Sequence, residues 1–339
     1  MDDYKSIDQL ISLLNERGLQ IEAPEAAQHI LKTVGHYRLE SFYRAFYNQP
    51  KQFDHSVPIG IEDVANLYLF DRRLRLLILG PLEKLEVALR ALIVKELGDF
   101  LVAQSRPQPV FIRLFEEGFY DLSTPANQSK YRASLEACRR SAWASWHRKL
   151  PRDDRKLPKS ELNKMFEGYR HGLAAWEVLQ AASFGPLANI FSILRPEIAV
   201  NIARYFGLPR HVLVGIFYAL KNLRNSCAHH SPVWNWDARR RSSTFLFPRA
   251  YEQAAQITGG DDNRDRLYAC CAVIHLLLSP LSQGRSTWYR RLKKLINEFN
   301  TIYSGKMGFP AEWQTLPFWC VSDVAQLACH ERLRGRLQQ

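Results

Sequence analysis

Apolar residues recur at three- and four-residue intervals along most of this chain, the period of a helix with one buried face. Ile7, Leu10, Ile11 and Leu14 open the series between residues 6 and 18, and Gly18 supplies a C-terminal stop. A second helix is predicted from about Pro24 to Val34, with Ala26, Ala27, Ile30 and Leu31 on one side and Gly35 after it. A polar connection runs from Pro50 to Pro58. Val64, Leu67, Leu74 and Ile78 then mark a helix between Ile61 and Leu79. Gly80-Pro81 predicts a break, because proline lacks an N–H and its ring clashes with the preceding turn. Leu85, Leu89, Leu92 and Ile93 resume the pattern from Leu82 to Leu97, so the two segments read as an antiparallel pair. Glu86 and Arg90 are spaced for an i, i+4 salt bridge.

Residues 105–130 are turn-rich, and helical periodicity returns from Ala174 to Leu194 with an interruption near Gly185-Pro186. Leu208-Pro209-Arg210 opens a helix whose stripe is Val212, Leu213, Ile216, Phe217, Leu220 and Leu223. The segment Arg266–Leu281 is apolar nearly all round, which makes His275 a core histidine. Ser286–Phe299 is basic and amphipathic, and a final helix is expected to end near Glu331–Arg336. Strand alternation does not recur, and there is no repeat of fixed period. The expected fold class is all-α, with short hairpins near Phe245–Phe247 or in the Pro-rich loops left open.

Two segments carry more than packing. His36–Tyr47 interleaves aromatic rings with Arg38 and Arg44, a pattern that suits a core-facing helix and equally suits stacking on unpaired bases. Arg139–Arg170 holds ten Lys/Arg against four Asp/Glu, with Trp143, Trp146 and His147 among them. Its stretch Pro151–Pro158 is too polar for a core and reads as an exposed loop facing a phosphate backbone. The whole chain of 339 residues carries a net charge of +12, with 32 Arg and 14 Lys. That balance favours an acidic partner, and arginine favours bidentate phosphate contacts, although a merely solvated basic surface has the same composition. The six cysteines (Cys138, Cys227, Cys270, Cys271, Cys320 and Cys329) form no C-x-x-C pair and no zinc-like spacing with histidine. No metal or other cofactor is expected. With no apolar leader after Met1 and no apolar run of membrane-spanning length, the expected location is a reducing cytoplasm, with no membrane partner.

The candidate chemistry lies in Leu220–Trp236, where Arg224, Asn225 and His229 follow the apolar stripe and Pro232 closes the segment. The bare spacing is uninformative: 32 Arg and 10 His among 339 residues yield about one Arg-x4-His pair by chance. Five residues on a helix turn about 140° from one another, so one copy's Arg224 and His229 do not converge. A two-fold pairing of identical copies brings two such sets together, and a homodimer with a composite site is therefore expected.

Arg224-Asn225-Ser226-Cys227-Ala228-His229 resembles the R-N-x-x-x-H signature of the HEPN ribonuclease superfamily. The longer run Leu220–Asn235, the Leu31–Leu39 segment with Gly35-His36-Tyr37-Arg38-Leu39, and Leu69-Phe70-Asp71-Arg72-Arg73-Leu74-Arg75 resemble abortive-infection AbiD/AbiF-type phage-resistance proteins, in the same order. His36 departs from the tyrosine common in that family and lies outside the Arg/His motif. The resemblance implies a HEPN-like helical bundle with N- and C-terminal helical additions. In this reading residues 1–60 are an N-terminal helical extension with the aromatic and basic segment. Residues 61–245 are the core with a basic insertion near 139–170, and residues 246–339 are a C-terminal helical region.

The same resemblance implies a metal-independent endoribonuclease in which the RNA 2′-OH attacks its own phosphate, leaving a 2′,3′-cyclic phosphate and a 5′-OH. His229 suits the proton transfers, Arg224 the charge on the phosphorane, and Asn225 the orientation of histidine or phosphate. His230 stands in a helper position, with a helix-end residue as the plainer explanation. Basic residues expected on RNA are Arg38, Arg139, Arg140, Arg148, Lys149, Arg152, Arg155, Lys156, Arg239, Arg240, Arg241, Arg290, Arg291, Lys293 and Lys294. The RNA partner implied by the family includes a cognate structured noncoding RNA. Two further functions stay open: a ribonucleoprotein component of phage defence whose Arg/His motif is silent or used for binding, and an interaction module without chemistry.

Overall fold

The computed structural model describes residues 4–53, 58–104, 114, 116–171, 174–238, 245–257, 265–299, 305–324 and 326–327. The architecture is helical, as the periodicity predicts, with one two-stranded hairpin among the described residues. Helix α1 (Ile7–Glu16) begins at Ser6, whose hydroxyl accepts from the Gln9 amide at 3.3 Å while Gln9 Oε1 accepts from the Ser6 amide at 2.8 Å. It ends just before Gly18, which sits at φ 93°. Helices α2 (Pro24–Thr33) and α3 (His36–Tyr43) are joined through Gly35 at φ 89°, a conformation that a β-carbon disfavours. This glycine sets the angle at which α3 leaves α2. Strands β1 (Tyr47–Gln49) and β2 (Gln52–Phe53) pair antiparallel around Lys51 at φ 63°. The hairpin thus begins ahead of the expected polar connection and takes in its first residues, while Phe245–Phe247 forms no strand.

Helix α4 (Ile61–Ala103) runs 43 residues without interruption, which overturns both the predicted break at Gly80-Pro81 and the antiparallel pair. The reason is not local. Proline at 81 leaves the carbonyl four residues earlier, on Leu77, without its helical donor. The indole Nε1 of Trp288 donates to that carbonyl at 2.8 Å, and Pro81 itself is buried. A side chain far along the chain thus supplies the hydrogen bond that proline cannot.

The remaining helices surround α4. They are α5 (Pro125–Lys149), α6 (Lys159–His171), α7 (Ala175–Gln180), α8 (Phe184–Ile193), α9 (Pro196–Tyr205), α10 (Arg210–Ala228), α11 (Leu267–Leu281), α12 (Trp288–Glu298) and α13 (Pro317–Cys320). The interruption expected at Gly185-Pro186 falls slightly earlier, at 181–183. Pro186 lies in the first turn of α8, where backbone N–H groups have no intrahelical acceptor. Helices α3, α7, α8, α9, α10, α11 and α12 all touch α4, and one hydrophobic core joins them. His275 on α11 is fully buried, as its apolar surroundings predict, with its ring stacked on Trp319 and Tyr289. Segment 331–336 lies outside the described residues.

Candidate functional site

Helix α10 buries Val212, Leu213, Ile216, Phe217, Leu220 and Leu223, and this stripe fixes which residues its opposite face shows to solvent. The helix ends at Ala228, with His229 as C-cap. His230 follows at φ 59°, in the left-handed position that glycine usually takes. Its amide donates to the Cys227 carbonyl at 3.2 Å, and the Ser231 amide donates to the Ser226 carbonyl at 2.8 Å. This is a Schellman closure, which satisfies the last carbonyls and turns the chain sharply away. His230 therefore serves the turn through its backbone, while its side chain stays exposed.

Two residues from distant segments hold that turn. The Arg38 guanidinium, on α3, donates to the His230 carbonyl at 2.5 Å. Asp71, on α4 and fully buried, accepts from the amides of Val233 at 2.7 Å and Trp234 at 2.8 Å. Its second carboxylate oxygen pairs with Arg75 one turn along α4. Burial pushes the Asp71 carboxyl up to about 6, against the pull of Arg75, the two amides and Arg38. The three segments that carry the family resemblance thus meet at one place: the Gly35–Leu39 element, the Leu69–Arg75 element and the end of α10.

Asn225 and His229 are exposed and line one open surface depression with Asn222, Ser226 and Ser231, with a volume of about 360 Å³. Arg224 faces another way. Its Nε lies 3.6 Å from Oε2 of Glu86 on α4, a carboxylate that also pairs with Arg90 as its i, i+4 spacing predicts. Arg90 in turn donates to the Ala182 carbonyl at 2.7 Å. In one copy of the chain the arginine is therefore held against a nearly buried acid, and the histidine opens outward.

The other basic residues distribute unevenly. Arg139 and Arg140 pair with Glu136 at 3.7 and 3.4 Å and, with Trp143, Lys159 and Asn163, line a cleft of about 460 Å³ between α5 and α6. Arg155 folds back onto the carbonyls of Leu150 (2.8 Å) and Arg148 (2.5 Å), closing the end of α5. Arg148 donates to the Ala144 carbonyl at 3.2 Å, and Lys156 pairs with Asp153 at 3.1 Å. Lys149 and Arg152 are exposed. On α12, Arg290 lies 5.6 Å from the Tyr289 ring centroid and Arg291 is exposed. Lys293 donates to the Gln314 carbonyl at 2.5 Å, and Lys294 sits 4.0 Å from Glu298. Arg239, Arg240 and Arg241 lie outside the described residues. Among the described residues no group of His, Cys, Asp and Glu is arranged to hold a metal ion, and no helix is long and apolar enough to cross a membrane.

Sequence reasoning missed what Asp71 and Glu86 do. Asp71 lies inside a resembled segment and four residues from Arg75, but nothing near it in the chain points to Val233 and Trp234. Glu86 carries a local signal for Arg90 and none for Arg224.

No curated protein and no solved structure matches the chain. The family model for Abi-like proteins matches residues 29–235. That stretch takes in Arg38, Asp71, Glu86 and the whole end of α10, so every contact that holds the turn lies inside it. The chain belongs to the Abi-like protein family, an abortive-infection family.

Proposed function

We propose that the chain acts in anti-phage abortive infection as a HEPN-type endoribonuclease that needs no metal, with its site at the end of α10. The observation that carries this reading is the exposure of Asn225 and His229 in one surface depression, at a turn braced by Arg38 and Asp71 from the other two resembled segments. Such bracing suits a site, because a catalytic side chain acts through its position.

In the proposed reaction the 2′-OH of RNA gives its proton to the His229 imidazole as O2′ bonds to phosphorus. The bond from phosphorus to the 5′ oxygen breaks, and that oxygen takes up a proton. A cyclic 2′,3′-phosphate and a 5′-OH result. Histidine suits both transfers near neutral pH. Arg224 supplies positive charge to the phosphorane, and Asn225 orients the imidazole or a phosphate oxygen. Because Arg224 and His229 point apart on α10, two copies related by a two-fold axis assemble the complete set. DNA, with no 2′-OH, is not a substrate for this route.

Purified protein is expected to cut single-stranded RNA in EDTA, with cyclic phosphate ends, and to lose that activity in both Arg224→Ala and His229→Ala with folding intact. Strict dependence on magnesium would sink the mechanism. The Arg224–Glu86 pair favours a second reading, in which the protein holds RNA as part of a ribonucleoprotein and the motif is silent. Phage protection that survives His229→Ala decides for that second reading.

A further inference from the structure

Helix α10 carries a second polar feature on the face that bears His229. Tyr218, Lys221, Asn222, Asn225 and His229 follow one another at helical spacing, so they form a single solvent-facing stripe. At its far end the Tyr218 ring meets two lysines. Lys221 Nζ lies 5.6 Å from the ring centroid, and so does Lys130 Nζ, which arrives from α5. The Tyr218 hydroxyl is held by Asn189 (3.1 Å) and Ser192 (3.0 Å) on α8, so the ring is fixed. The Lys221 stem passes 3.7 Å from where a β-carbon on Gly185 would stand, beside the positive N-terminal end of α8.

These two lysines differ from the other twelve, each of which either holds an acceptor or stands exposed. Lys95 binds Glu96 and Asp99, Lys156 binds Asp153 and Lys294 binds Glu298. Lys84, Lys293 and Lys306 donate to a hydroxyl or a carbonyl. Lys130 and Lys221 have no ion pair with a carboxylate among the described residues, and both are only half exposed. Two ammonium groups gathered on one ring repel each other, and an anion between them removes that cost.

We propose that Lys130 and Lys221, gathered by the Tyr218 ring, form a subsite for single-stranded RNA that binds a backbone phosphate a few nucleotides from the bond presented to His229. The separation follows from the helix: Tyr218 and His229 are eleven residues apart, about 17 Å along the axis. The stripe between them, through Asn222 and Asn225, is the track of the strand. The position of this subsite relative to a scissile bond rests on the ribonuclease reading of His229; its affinity for RNA does not.

The test is binding of a fluorescent twelve-nucleotide single-stranded RNA, measured by anisotropy from 50 to 300 mM salt. Each single-strand phosphate contact contributes about 0.7 to the slope of log affinity against log salt. Lys130→Gln/Lys221→Gln is expected to flatten the slope by roughly 0.7 to 1.4, with far-UV circular dichroism unchanged. Lys51→Gln, on the hairpin, is expected to leave it as it is. An unaltered slope in the double variant overturns the proposal. Inorganic phosphate is the second arm: displacement of the RNA that needs the two lysines is the expected result, whereas lysine-dependent phosphate binding with RNA affinity equal in wild type and double variant shows that the lysines hold only a free anion and overturns the strand subsite. Cleavage is read separately. RNA that binds with the wild-type slope but is never cut removes the ribonuclease reading and leaves the subsite standing.

Discussion

Asp71 decides whether the end of α10 has a fixed shape. A fully buried carboxylate is costly unless several donors meet it, and here two backbone amides and Arg75 do so. Truncation leaves Arg75 unpaired and two amides without an acceptor. Asp71→Ala is therefore expected to lower the unfolding free energy by ~3–5 kcal/mol, the range for breaking a buried ion pair from one side. Asp71→Asn keeps an oxygen for Val233 and Trp234 and is expected to lose clearly less. Urea midpoints at pH 7 check both, and equal losses would show that the two amide bonds contribute nothing. Little of this is legible in the chain. The Arg/His motif can be read from its context, yet the residues that brace it sit more than a hundred positions away. Arg38 suits RNA contact by composition, and in the fold one of its nitrogens is spent on the His230 carbonyl. Periodicity reports which face of a helix is buried, not which distant turn a buried side chain will meet.

At the scale of elements, α4 shows where a sound local rule fails. Proline inside a helix costs ~3 kcal/mol or more, partly through the missing hydrogen bond. Trp288 offsets that part by donating to Leu77, from a helix about two hundred residues away. Helix types and most faces were legible because burial enforces a period over many residues. The continuity of α4 was not, because it depends on one contact with α12. Trp288→Phe keeps an aromatic ring but leaves the Leu77 carbonyl without a donor, and is expected to cost ~1–3 kcal/mol beyond its packing loss. In a Pro81→Ala background the restored amide serves that carbonyl, so the same change is expected to cost less by at least 1 kcal/mol. A double-mutant cycle measures the difference. Additive losses would mean that the indole contributes packing alone.

Across the whole molecule, two buried titratable groups oppose each other in acid. His275, between Trp319 and Tyr289, donates Nε2–H to the Val321 carbonyl at 3.0 Å, and burial lowers its pKa from 6.5 to about 4. As pH falls below 6.5 the unfolded chain takes up this proton before the folded one, so stability is lost on the way down to 4. Asp71 runs the other way. Its carboxyl is raised to about 6 by burial, so the folded chain keeps its proton while the unfolded chain has released it. Stability on its account is present below about 4 and is lost as pH rises to 6. Each shift is worth ~3 kcal/mol at 1.36 kcal/mol per pH unit, so the two contributions nearly cancel between pH 4 and 6. Removing one uncovers the other. Relative to wild type, Asp71→Asn is expected to gain stability more steeply as pH rises through this window, while His275→Phe is expected to gain less or to fall. Urea midpoints at pH 4.5, 5.5 and 6.5 measure the three profiles, and other carboxylates drop out of the comparison because all three proteins share them. Parallel profiles would show that neither buried group titrates differently in the folded and unfolded chains, and that the packing around α4 and α11 sets no preference for their charge.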